Sequence, residues 1–141
     1  AALAHPFGEQ KSRCAAIADG AHMGAAIAPL RASVRAGLAQ RAPALRQLAA
    51  LDGVLDQALA PRERSLLATV PQLLGRRFEQ LHQAHRNALT TPDDPARWLQ
   101  PGAWLHTFCQ DMRAVLLAEL ELRLQPVAGL LEALNEVTKQ P

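Results

Sequence analysis

Glu79, His82 and His85 follow one another at three-residue intervals, and His106 and Cys109 repeat the interval further on. On a helix that spacing sets side chains one turn apart on one face. A Glu-x-x-His pair is the building unit of di-iron bundles, where facing helices supply a second pair and further glutamates. Here only Glu79-x-x-His82 is present, and Glu119 or Glu121 would have to complete the set. His82, His85, His106 and Cys109 also offer the nitrogen and sulfur donors of a tetrahedral zinc site. Packing accounts for the same residues, since a free cysteine is among the most buried residue types. The sequence therefore assigns no metal and no cofactor, and these four stand as candidates only.

Catalysis finds less support. A nucleophile needs a serine or cysteine beside a histidine that a third group orients. Ser12, Ser33 and Ser65 are the only serines, and none lies in a nucleophile-elbow pattern. No glycine-rich loop leads into Lys-Ser or Lys-Thr, so a phosphate cradle is missing. No catalytic residue is assigned, and the chain is expected not to be an enzyme.

Charge suggests a different use. The net charge is only +2, but Arg31, Arg35, Arg41 and Arg46 occupy a stretch from Gly20 to Leu51 that holds no acid. Such a basic front could steer an acidic partner, and arginines contact phosphates directly. Aromatic residues make up only 4% of the chain, so the stacking surface that single-stranded nucleic acid needs is thin. Nucleic-acid association is the alternative function.

The elements that must position these residues are helical. Apolar residues reach 49% through Ala and Leu, and there is no Tyr, a mix that suits helices better than strands. Residues 1–10 read as a flexible lead-in, with Pro6 and Gly8 breaking any period. Helices are expected over Lys11–Ile17, Ala25–Arg41 and from Pro43 to Pro61, the last with Leu45, Leu48, Leu51, Leu55 and Leu59 as its inward stripe. A long helix follows from Pro61 to Leu89, bent between Ala68 and Pro71. After the Thr90–Pro95 loop, Trp98 should fold back as an anchor. Trp104 to Val137 carries the strongest period, broken at Leu124–Pro126 because a proline lacks the amide donor and crowds the previous turn. Leu67, Val70, Leu74, Phe78, Leu81, Phe108, Met112, Leu116, Leu120 and Leu131 are expected to be buried together. Glu119 and Arg123 should form a surface pair of about 0.3 kcal/mol.

The predicted fold is an all-α helical bundle of four to five helices, two of them long, as a single domain over 1–141, with a break at Pro126 before the last helix. Apolar residues exceed what one seam of the last stretch can use. Leu117, Leu122, Leu124 and Leu130 are left over as an interface, most simply in a homodimer. Two widely spaced cysteines and no secretory leader fit free thiols in a reducing, cytoplasmic setting, and no apolar run is long enough to span a bilayer.

Two motifs add a resemblance. Pro101-Gly102-Ala103-Trp104-Leu105 and the run from Glu119 to Leu130 (ELELRLQPVAGL) resemble a family of proteobacterial proteins classed as a domain of unknown function, over about residues 45–137. The resemblance carries no catalytic residues across. Its members are encoded near proton-channel and OmpA-like envelope proteins, which implies a helical or envelope-associated partner. Together these readings favour a non-catalytic helical protein–protein interaction module, possessing no cofactor.

Overall fold

The structure is a computed structural model, and it describes residues 5–139. Among the described residues there is no strand. Five helices follow in order: α1 (Pro6–Ala18), α2 (Ala21–Ala39), α3 (Pro43–Leu67), α4 (Val70–Ala88) and α5 (Trp104–Lys139), with one 3-10 turn at Pro95–Arg97 before α5.

Several boundaries differ from expectation, and prolines explain most of them. Pro6 lies in the first turn of α1, where its missing amide has no helical partner to lose. Residues 6–10 are therefore helical rather than a lead-in, while residues 1–4 lie outside the described part. Pro61 was expected to divide two helices, yet α3 continues through it to Leu67. The interruption comes at Ala68 and Thr69, where the bend was expected, and Pro71 then sits in the first turn of α4. Pro126 lies inside α5. Its ring removes one rung of the hydrogen-bond ladder, and the helix runs on past it to Lys139.

Two compact units make up the chain. The first joins the residues up to Gly20 with Ala68–Leu117, and the second joins Ala21–Leu67 with the residues from Ala118 onward. In the first unit, Phe7 meets Phe78 and His82, and Lys11 is ion-paired with Glu79. Partner numbers that rise on one helix as they fall on the other make α1 and α4 antiparallel. Their core holds Cys14, Ala18, Leu74, Phe78, Trp98, Trp104, Leu105, Phe108 and Met112, with Val70, Leu81 and Leu116 packed against it. Phe78 is edge-on to both Phe108 and Trp104, at centroid distances of 5.1 and 5.2 Å, a favourable ring geometry. Trp98 is buried as the expected anchor. Gly102 adopts a φ of 83°, open to glycine at little cost, and turns the chain into α5.

In the second unit, the short turn after Ala39 folds α3 back along α2. Leu38, Leu45, Ala49 and Leu130 form its core. Here the register of α5 corrects the expected core: Leu130 is 3% exposed and Leu131 is 43% exposed. Leu130 faces the α2–α3 pair, and its neighbour points about 100° away. Leu67 and Leu120 are half-buried and stand outside both clusters.

Candidate functional site

Arg31 and Arg35 stand one turn apart on α2, and Asp52 and Asp56 one turn apart on α3. The hairpin brings the four together. Arg31 donates to both Asp52 oxygens at 3.0 and 2.6 Å and to Asp56 at 3.1 Å. Arg35 bridges the same two carboxylates at 3.0 and 2.8 Å. Burial pushes the Asp52 carboxyl up, but the bonds from Arg31 and then Arg35 outweigh it and hold the group below the ordinary carboxylate range. Half of the expected basic front is thus neutralised within the hairpin. Of the rest, Arg46 donates to the Ala39 carbonyl at the end of α2, and Arg41 is exposed. Sequence reading found the arginines and missed the acids that take them, although the i,i+4 spacing of Asp52 and Asp56 matches that of Arg31 and Arg35.

A second polar group lies in the same unit. Arg123 donates through Nε and Nη2 to one oxygen of Glu119, at 3.1 and 2.8 Å. The Glu119 side chain is only 3% exposed, so this is a buried pair rather than the expected surface pair, and its other oxygen has no protein partner. Arg123 also approaches Gly24: a Cβ there would lie 3.1 Å from Nη1. Glycine lets the guanidinium settle against the α2 backbone. Gly24 and Arg123, with Arg31, Asp56, Glu63 and Arg64, line a small cavity of about 150 Å³.

The first unit gathers the histidines. Asp93 Oδ1 lies 2.9 Å from His85 Nε2 and accepts from Trp98 Nε1 at 2.9 Å. Burial favours the neutral Asp93 acid, but the bonds from His85 and Trp98 win and keep its pKa low. The His106 amide donates to the Trp98 carbonyl at 3.2 Å, fixing the loop onto α5. His82 stacks on Phe7 instead of pointing to a ligand. Cys109 is a free thiol packed against the core, and burial raises its pKa. Among the described residues no three His, Cys, Asp or Glu side chains gather as a metal site requires. Of the four candidates, His82 stacks on Phe7, His85 contacts Asp93 and Cys109 packs against the core, while the buried Nδ1 of His106 has no hydrogen-bond partner among the described residues.

Part of the expected apolar surface on α5 is exposed, and α3 adds to it. Leu117 and Leu122 are about half exposed and Leu124 is half-buried, whereas Leu130 is taken up by its own unit's core. The largest exposed run belongs to α3. Leu51, Val54, Leu55, Leu59 and Leu66 are between 46% and 64% exposed. The inward face of α3 is instead Leu45, Ala49 and Asp52. Counted at about 100° per residue from the inward Leu45, Leu51 lies about 120° round the helix and Leu55 about 80°, so both turn outward, while Leu59 is exposed although it lies nearer the Leu45 direction. Among the described residues no helix is long and apolar enough to cross a membrane.

No curated protein and no solved structure matches the chain. A family model described as "Protein of unknown function (DUF3348)" matches residues 9–136, nearly the whole of the described chain, and the chain belongs to that family.

Proposed function

We propose that the chain is a non-catalytic helical protein–protein interaction module, and that it pairs with a second copy of itself through α3. The observation that carries this reading is the row of Leu51, Val54, Leu55, Leu59 and Leu66 on the outer side of one helix. Scattered apolar residues are normal on a surface, but a contiguous apolar stripe marks a contact. Asp52 and Asp56 of α3 are turned to Arg31 and Arg35, and Glu63 lies 3.9 Å from Arg123. Exposed Arg62 interrupts the row between Leu59 and Leu66, and the part from Leu51 to Leu59 is a face with little charge, suited to another apolar helix. Leu122 on α5 offers a smaller apolar position in the same unit. Free thiols at Cys14 and Cys109 fit a cytoplasmic setting.

Light scattering across a tenfold dilution tests the reading. A dimer mass is expected at the higher concentration, and Leu55→Glu should return the monomer without loss of helix content. A monomer mass throughout overturns self-association, and identical masses for wild type and Leu55→Glu remove α3 as the contact.

A further inference from the structure

Three of the five histidines of the chain, His5, His82 and His85, lie where the start of α1 meets the later turns of α4. The ring of His82 lies nearly parallel to Phe7, with centroids 4.2 Å apart. It also meets Trp104 at 5.0 Å and Trp98 at 5.9 Å. On its open side is a surface hollow of about 340 Å³ lined by His5, Phe7, Glu79, His82, Gln83 and Arg86. The stack, together with the contact of Phe7 with Phe78, holds the first turn of α1 against α4 at this end.

The charged groups around His82 come from each neighbouring element. His5 caps the start of α1; Glu79, His85 and Arg86 lie along α4; Asp93 comes from the following loop; α5 presents the uncharged Trp104 ring. Both acids are already engaged, Glu79 by Lys11 and Asp93 by His85 and Trp98. On acidification His82 gains a charge beside Arg86. We infer that this cluster is an acid-labile latch, in which proton uptake by His82 loosens its stack on Phe7 and frees the first turns of α1 from α4.

The balance of forces runs in that direction. A ring face attracts an imidazolium, but that attraction is opposed by lost water and by the cationic neighbours. Burial first, and then Arg86, lower the His82 pKa below the ordinary histidine value. The closed stack therefore favours neutral His82. Closure is unaffected by pH above the ordinary histidine value of about 6.5. It weakens as pH falls through that value toward the lowered one, by up to about tenfold per pH unit for one proton taken up on opening.

Amide hydrogen exchange on the full chain, between about pH 7.5 and about pH 5, tests this, with the α3 amides as an internal reference. Protection of the α1 amides, corrected for intrinsic exchange, should fall with pH by up to about tenfold per unit while that of α3 holds. His82→Phe keeps a ring in the stack and takes up no proton, so it should lose most of this dependence. His82→Gln makes the same comparison should the phenylalanine variant fail to fold. Wild-type α1 protection that does not fall relative to α3, or non-titrating variants that fall as steeply as wild type, would overturn the latch.

Discussion

Asp52 lies between two guanidinium groups with its side chain only 10% exposed, so each partner needs the other's charge. Asp52→Asn would leave Arg31 and Arg35 buried beside half the negative charge, at an expected cost of about 3 kcal/mol in urea unfolding. The folded carboxyl is held below its ordinary range, so its contribution is present above the unfolded value of about 3.9 and fades as pH falls through that point toward the folded one. The gap between wild type and Asp52→Asn should therefore close as the pH drops below about 4. In the other unit, Phe108 is 1% exposed. Phe108→Ala should cost about 3 to 5 kcal/mol, whereas Leu131→Ala on the surface should stay within about 0.5 kcal/mol. Equal losses for the two would reverse the assignment of the α5 faces.

At the scale of the elements, interior prolines are the recurring feature: Pro29 in α2, Pro61 in α3 and Pro126 in α5. Each deletes a hydrogen bond that an alanine would restore. Pro61→Ala should raise the melting temperature, by the equivalent of about 1 to 3 kcal/mol, and an unchanged midpoint would show that the helix has already absorbed the defect. Helix type and number were legible because the period of three and four is written in Leu, Phe and Met. Proline positions were legible too, but not their consequences, since a proline in a helix packed along another is tolerated where an isolated one would end it. The faces of α3 were misread for a related reason. Its leucines recur every three or four residues, so Leu51, Leu55 and Leu59 looked like core. Only the pairing with α2, which needs Ala49 for close approach and Asp52 for Arg31, shows that they face outward. The Asp93 hub was invisible because its partners, His85 and Trp98, are set by the shape of a loop rather than by any period.

At the scale of the whole molecule, two cores are served by one chain that enters each of them twice. Both tryptophans, Trp98 and Trp104, belong to the first, so their fluorescence reports that unit, while far-UV dichroism reports both. Asp52→Asn, in the second unit, should lower the dichroism midpoint and leave the fluorescence midpoint in place; a joint shift of both would show one cooperative transition. The same threading bears on how the chain is made. Cys14 and Ala18 find their core partners in Leu74 and Phe78, roughly 60 residues later, a wait of about 3 to 12 s at ribosomal rates of about 5–20 residues per second. The α2–α3 hairpin, by contrast, can close almost as soon as it emerges, since its partners are near in sequence. A nascent chain thus carries α1 as an unpaired amphipathic segment ahead of a finished hairpin. Cellular factors that bind emerging apolar segments would meet α1 first.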